Sequence, residues 1–198
     1  MTEAPRGRPG SAGARPKRGP WPLLVLVCLL VFGRLWLFDL RRVSGGAMLP
    51  GLHDGQHLLL RRVGPVRPGD VVVVHLRGEP ERYVKRVVAG PGSRVEEVQG
   101  RLLVDGQPLA TGQARTGPVA RRCPPEEGPW VEEAAGGRRW WTLPGQGATE
   151  VVQVPVAHWF VAGDDRARSR DSRHWGALSR EEIDGVVLWA PAAPAACP

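Results

Sequence analysis

One lysine, Lys85, is the residue of this sequence that says most about chemistry. The chain has 27 basic residues, and all of them are arginine except Lys17 and Lys85. Arginine keeps its proton in a protein, whereas a buried lysine can become a neutral amine and act as a base. Lys85 lies in the apolar stretch 83–88, which can bury it. The pattern indicates a general base, and a surface lysine that extends its amine to water is the alternative.

Charge is concentrated in the segment 164–173, which holds three aspartates and four arginines. Taken alone, the segment fits a solvated loop whose charges neutralise one another. The many arginines argue against an acidic metal site there. The histidines show no metal-ligand spacing, so each is interpreted as a surface or packing residue, and we predict no metal and no cofactor. They are His53, His57, His75, His158 and His174.

The net charge of +7 is carried almost entirely by the first part of the chain. Residues 1–42 contain eight basic and two acidic residues, whereas residues 43–198 contain 19 basic and 18 acidic residues. A nearly neutral globular part has no general phosphate-binding surface, so we predict no nucleic-acid partner.

An apolar run, 21–38, follows a basic segment and is interrupted only by Gly33 and Arg34. Its 18 residues are close to the lower limit for a membrane span, and no small-residue cleavage site follows closely. We therefore predict a disordered basic cytoplasmic tail (1–20), a transmembrane signal anchor (21–40), an extracytoplasmic domain (41–190) and a short tail (191–198). This arrangement is that of a single-pass protein of the cell membrane, in contact with lipid. Cys123 and Cys197 are the two cysteines outside the span, and whether they pair stays open.

Short apolar runs separated by Gly, Pro and Asp turns make up most of the domain. This pattern predicts a mainly β fold, an antiparallel meander or partly open barrel. The runs are 56–63, 70–76, 82–88, 93–98, 102–104, 151–154, 158–161 and 186–189. Ser179, with Glu182 three residues later, predicts a capped helical turn over 179–184.

Residues 110–150 lack a clear period and are interpreted as a variable insertion, either a loop or a small subdomain. Trp140 and Trp141 lie within it. Exposed tryptophans there would suit lipid headgroups or a partner, but packing onto the β-core is the interpretation we favour.

Three segments, in the same order along the chain, resemble the type I signal peptidase family. Members of this family are membrane-anchored endopeptidases that use a serine and a lysine. The resemblance runs from the N-terminal anchor to about Val187 and is weakest in 110–150. It implies a signal-peptidase-type antiparallel β-domain and signal peptides of exported preproteins as partners. The segments are GGAMLP at 45–50, GDVVVV at 69–74 with YVKRVVAGPG at 83–92, and FVAGDDR at 160–166 continuing to SRDSR at 169–173.

The resemblance assigns roles to individual residues of the predicted site. Lys85 matches the general base, and Ser169 matches a hydroxyl that hydrogen-bonds the lysine amine. Asp171 and Arg173 match a structural ion pair behind the site. Gly163 matches a glycine that leaves room beside the lysine.

The resemblance also assigns the substrate cleft and exposes a departure. Met48, Pro50 and Tyr83 match residues that shape the cleft. The family has its nucleophilic serine immediately before the methionine, and here that position is Ala47, which could contribute only a backbone N–H to an oxyanion. Gly45 stands where many members have a serine that assists the oxyanion. Further along, glycine also replaces the usual threonine at position 51, which is expected to loosen the cleft edge.

Three functions therefore remain open. In the first, the chain is catalytically inactive but binds signal peptides, as a natural pseudoenzyme or as a serine-to-alanine variant of an active enzyme. In the second, it is an active signal peptidase with another nucleophile; Ser44 is the nearest serine, and an extended chain would separate its Cα from that of Ala47 by about 10 Å. In the third, it is a non-catalytic scaffold tethered to the membrane.

Overall fold

We describe residues 19, 21–116 and 129–191 of a computed structural model of this 198-residue chain. The predicted basic tail, except for Gly19, lies outside these residues. So do Cys123 and Cys197, the two cysteines whose pairing was considered. The chain divides into two compact units, one up to Leu35 and one from Trp36 onward.

The apolar run forms a helix, α1 (Trp21–Leu37). Leucine is a strong helix former, and the one proline, Pro22, stands in the first turn, where its missing N–H costs nothing. Apolar side chains are exposed over 21–32 and again at Trp36 and Leu37. Within the described residues, none of the helices reaches the combination of length and apolar character that a membrane crossing requires. The last part of the predicted 21–40 anchor is extended, because a strand begins at Phe38.

The rest of the described chain is mainly antiparallel β-structure, as predicted. The strands are β1 (Phe38–Arg42), β2 (His57–Arg61), β3 (Val71–His75), β4 (Arg82–Ala89), β5 (Arg94–Val98), β6 (Arg101–Val104), β7 (Gln107–Pro108), β8 (Ala110–Thr116), β9 (Pro129–Ala135), β10 (Arg138–Thr142), β11 (Thr149–Gln153), β12 (His158–Ala162), β13 (Leu178–Ser179) and β14 (Ile183–Trp189).

Seven strands form the main sheet, in the order β1-β2-β14-β3-β4-β12-β13. Its pairs are antiparallel, and it is an open sheet with β1 and β13 at its edges. The valines of β3 are buried on both faces: Val72 and Val74 pack into one cluster and Val73 into another. Burial on both faces explains why the strand is continuously apolar instead of alternating.

Two smaller sheets are joined to this one, with the orders β11-β5-β6-β7 and β10-β9-β8. The second lies entirely in the segment interpreted as an insertion, so the described part of that segment is β-structure. Trp140 on β10 is buried, as the favoured interpretation expected, and its indole N–H donates to Glu133.

The two helical turns of the main domain lie beside β12 and β14. One is α2 (Ser172–Trp175), capped by the Asp171 carboxylate, and the other is a 3-10 turn, Arg180–Glu182. The predicted cap is confirmed: the Glu182 carboxylate accepts from both the Ser179 backbone N–H and its hydroxyl at 2.8 Å.

Candidate active site

Strand β4 places Lys85 at a gap in the main sheet. Lys85 is registered opposite Val72 of β3, while on the other side β12 ends with Ala162 opposite Arg86. From Arg82 to Lys85, no described strand pairs with the second edge of β4. The lysine therefore lies where the sheet opens and the chain turns away at residue 163.

Burial has the largest effect on the pKa of Lys85, which is only 3% exposed. Desolvation disfavours the ammonium and lowers the pKa of Lys85 to about 8. The Asp171 and Asp164 carboxylates act in the opposite direction, and the Arg173 guanidinium adds to the lowering. A large neutral fraction near pH 8 is what a general base needs.

Gly163 is the point at which the distant segments of the sequence meet. A Cβ added there would overlap Ser169 Oγ and lie 2.6 Å from the Ala47 carbonyl oxygen. No larger residue fits without displacing one of them. The Ala47 carbonyl also accepts a hydrogen bond from the Asp165 N–H at 3.0 Å, which ties the 45–50 loop to the 163–171 loop.

Asp171 and Arg173 form a buried ion pair behind this point. Arg173 donates through Nε to Asp171 Oδ1 at 2.8 Å and through Nη2 to Oδ2 at 2.9 Å. Desolvation acts to raise the pKa of Asp171, but hydrogen bonds from Arg173 and the Gly163 N–H, with the arginine charge, hold it below its usual value. The carboxylate therefore stays ionised and fixes the backbone of Gly163.

Ser169 lies at the site without the predicted hydrogen bond to the lysine amine. Its hydroxyl is buried and makes no hydrogen bond of good geometry among the described residues, but it lies close enough to the Asp171 carboxylate to help lower the pKa of Asp171. Its distance from a Cβ at Gly163 shows that it faces the same space.

The 44–50 loop brings the remaining predicted residues to the other side of the opening. Ala47 and Pro50 are half-buried, and Met48 is fully buried in the core cluster that Val84 of β4 packs against. Gly45 has a φ of +84°, which favours glycine over a serine, and its N–H donates to Asp54. Ser44 is exposed.

Tyr83 extends the lysine face of β4 toward α2. Its ring lies 5.8 Å from Lys85 Nζ and 5.4 Å from the Trp175 ring. Its hydroxyl donates to the Glu79 carboxylate at 2.7 Å, and this bond, with burial and the nearby Glu81, raises the pKa of Tyr83 to about 12. Tyr83 is thus a fixed, neutral wall beside the lysine.

Sequence reasoning missed a second buried ion pair next to the lysine. Arg86 donates to both oxygens of Asp164, at 2.8 and 2.7 Å, and its guanidinium stacks 4.7 Å from the centre of the Trp140 ring. A Cβ at Gly51 would lie 2.9 Å from Asp164 Oδ2. Glycine at this position leaves room for the ion pair between Arg86 and Asp164. We had expected only that it would loosen the edge of the cleft. The only sequence signal was the position of Arg86 directly after the lysine.

Comparison with known proteins identifies the family of the chain. The model of the family "Signal peptidase, peptidase S26" matches residues 20–190. The chain is 32% identical to a signal peptidase I of Bacillus caldolyticus over 178 residues, which cover 87% of this chain and 90% of that protein. It is 30% identical to a probable signal peptidase I-1 of Synechocystis, over 84% of this chain and 78% of the relative.

The chain belongs to the signal peptidase family, peptidase S26. A solved structure of signal peptidase I from Enterococcus faecalis is also similar, with 21% identity, a TM-score of 0.38, and coverage of 63% of this chain and 97% of that one.

Within this signal peptidase-like domain, the described residues contain no cluster of His, Cys, Asp and Glu arranged to hold a metal ion. The groups gathered at the site are a lysine amine, a serine hydroxyl, two buried ion pairs and the Ala47 methyl. The lysine amine and the serine hydroxyl are groups that can accept and donate a proton.

Proposed function

We propose that this protein binds signal peptides of exported preproteins at the opening beside β4 and does not cleave them. The single observation that carries the proposal is that Ser169 and the Ala47 backbone meet at Gly163, beside the Asp171 and Asp164 carboxylates that act on the Lys85 amine, while residue 47 offers only a methyl group. The base and its supports are assembled, but the group that the base would activate is missing.

The chemistry of the missing group sets the expected activity. A lysine-activated serine would attack the scissile carbonyl while its proton passes to the neutral amine. A methyl group can neither attack nor give up a proton. Loss of the nucleophile from a serine protease typically lowers kcat by about 10⁶-fold, so the chain as it stands should not turn over.

The free edge of β4 supports the binding half of the proposal. An unpaired strand edge presents N–H and C=O groups that an extended peptide can pair with, while pockets select alternate side chains. Arg82–Lys85 offers such an edge, and the 45–50 loop supplies the facing wall through its contact at Gly163. Replacement of a serine hydroxyl by a hydrogen at position 47 leaves both features in place.

Membrane association is part of the proposal. Helix α1 exposes apolar side chains along its length, and basic residues precede it in the sequence. In the main domain, Leu40 and Trp189 are exposed and both are registered opposite Leu59, forming an apolar row across β1, β2 and β14. We propose a single-pass arrangement with a cytoplasmic N-terminus and lipid contact through these surfaces.

Fractionation of cells tests this arrangement. The protein should stay in the membrane fraction after an alkaline carbonate wash, and protease added to spheroplasts should digest the β-domain. Release by the wash, or a β-domain protected until the cells are lysed, would contradict it.

Restoring the nucleophile tests the site. We expect Ala47→Ser to cleave a preprotein after a small residue, with another small residue two positions earlier, whereas Ala47→Ser combined with Lys85→Arg should not cleave it. A folded Ala47→Ser protein with no activity would show that the cleft can no longer support catalysis even with the nucleophile restored. Cleavage by the unmodified chain that disappears in Ser44→Ala would establish an alternative nucleophile instead.

A binding measurement separates a peptide-binding protein from a scaffold. A fluorescent signal peptide should bind the unmodified chain, and the same peptide with N-methylated amides around the cleavage site should bind much more weakly, because it cannot pair with a strand edge. No binding, or equal binding of the two peptides, would favour the scaffold.

A further inference from the structure

Glu97 is a buried acid at an inward-facing position of strand β5, where an apolar residue is expected. On β5, Val95 and Glu97 point inward, and Glu97 is 3% exposed. A carboxylate buried to this extent is strongly destabilising unless a cation and hydrogen bonds compensate it. The residue was not among those assigned from the sequence.

The surrounding backbone leaves space for this carboxylate through two glycines. A Cβ at Gly147 would lie 2.8 Å from Glu97 Oε2, and a Cβ at Gly145 would lie 3.3 Å from Oε1. The loop before β11 thus fits closely around the acid and holds its side chain in one position.

The compensating cation is Arg173, the residue already paired with Asp171. Its Nη1 donates to Glu97 Oε1 at 3.0 Å, while its Nε and Nη2 donate to the Asp171 carboxylate. Both side chains of the Glu97–Arg173 pair are almost fully buried. One guanidinium therefore joins β5 of the four-stranded sheet to the loop that carries Ser169.

This connection reaches the lysine site through Gly163. The Asp171 Oδ2 atom accepts the Gly163 N–H at 2.9 Å, and Gly163 abuts Ser169. A second connection holds the other side of the same residue: Arg166 donates to the Gly163 carbonyl at 2.8 Å and is itself paired with Glu133 of β9. Gly163 is thus fixed from both sides by ion pairs based in the two smaller sheets.

We propose that Glu97 is a positioning residue of the lysine site, which holds Arg173 against Asp171 and so fixes Gly163 and Ser169 beside Lys85. The relevance of that geometry to catalysis rests on the proposed function. The geometry itself can be tested in the chain as it is, without turnover.

The proposal predicts a change in how Lys85 titrates. The charged groups that act on its amine are Asp171 and Asp164, which favour the ammonium, and Arg173, which disfavours it. Tyr83, on the same face of β4, stays neutral. Glu97→Gln removes one of the two carboxylates that balance Arg173, so the ammonium of Lys85 becomes less favourable and its titration midpoint should fall by about half a pH unit.

The chain is well suited to this measurement because it has only two lysines. Labelling lysine with ¹³C should give two Cε signals in detergent, and loss of one in Lys85→Arg assigns it. The Lys85 signal is then followed from pH 6 to 11 in each variant. The matched control is Glu96→Gln, which removes the same charge from the neighbouring residue of β5, whose side chain points to the opposite face.

A lower midpoint in Glu97→Gln and an unchanged midpoint in Glu96→Gln would support the positioning role. An unchanged or higher midpoint in folded Glu97→Gln, or an equal shift in the control, would overturn it. If Glu97→Gln does not fold, Gly147→Ala replaces it, because its new Cβ should push the carboxylate off Arg173 and lower the midpoint; no shift there would also overturn the role. Absence of peptide binding would refute the proposed function and leave this result standing.

Discussion

Replacing Lys85 by methionine should stabilise the protein, and the gain should shrink as the pH rises. Methionine has a similar volume and carries no charge, so the variant removes the buried ammonium while keeping the side-chain packing nearly constant. Among the described residues, no carboxylate forms an ion pair with the amine that would compensate its burial: the carboxylates that act on it raise its pKa less than burial lowers it.

The size of the effect follows from the difference between two pKa values. Lys85 has a pKa of about 8 in the folded protein and an ordinary value of 10.5. At about 1.4 kcal/mol per pH unit, burial of the charged amine costs about 3 kcal/mol at pH 7 and about 1 kcal/mol at pH 10. Between pH 8 and 10.5 the unfolded chain binds more protons than the folded one, so the stability of the unmodified protein rises with pH across that window. The methionine variant lacks this rise.

Thermal unfolding followed by tryptophan fluorescence in mild detergent measures the difference. At about 2–4 °C for each kcal/mol, the Tm of Lys85→Met should exceed that of the unmodified chain by about 8 °C at pH 7 and by about 2 °C at pH 10. Only the variation of this gap with pH tests the titration, because a constant gap can arise from packing alone.

Lys85→Arg is the matched control. Arginine keeps its charge through the whole range, so this variant should be the least stable of the three, and its gap from the methionine variant should not change with pH. A Lys85→Met advantage that is equal at pH 7 and pH 10 would refute the reasoning, since it would mean that the buried lysine titrates with its ordinary pKa.

Three further outcomes follow from contacts at the same site. Gly163→Ala should lower the Tm strongly, because its Cβ would lie 2.6 Å from the Ala47 carbonyl oxygen, whereas Gly90→Ala, with no atom within 4 Å, should not. Arg86→Met should cost about 3–5 kcal/mol of unfolding free energy in denaturant titrations, since it leaves the buried Asp164 without its cation; a cost under 1 kcal/mol would contradict this. In Ala47→Ser, kcat/KM should rise with pH to a plateau above about 8, as the lysine loses its proton, and a profile flat from pH 6 to 9 would exclude the lysine as base.

The sequence predicted the β-fold well where one physical rule controlled the pattern. β3 could be located because both faces are buried and four of its five residues are valine, and the cap of Ser179 by Glu182 is a local interaction. Strand ends were less accurate, by one to three residues, because they depend on where a neighbouring strand stops. The end of the first helix shows the same effect. The apolar run continues to Phe38, but the helix stops at Leu37 because Phe38 already pairs with Arg61 of β2.

The segment 110–150 could not be resolved from sequence for a related reason. Strand prediction relies on apolar residues at every second position, and here an inward position of β9 holds Glu133, which pairs with Arg166 of a distant loop. Glu97 on β5 breaks the alternation in the same way. A charged residue that is buried only because its partner arrives from elsewhere in the chain looks, in the sequence, like a surface residue.

The same ion pairs explain how the geometry around Gly163 is held without a side-chain hydroxyl at position 47. The contacts that fix Gly163 are made by Asp171 and Arg166, and Ala47 takes part in the site through its carbonyl oxygen, which accepts from the Asp165 N–H. None of these bonds uses the side chain of residue 47. On the proposed function, a serine there would add a reacting group without adding a support. Exchange between serine and alanine at position 47 should therefore change activity by orders of magnitude while leaving the fold, the lysine pKa and the free edge of β4 nearly unchanged.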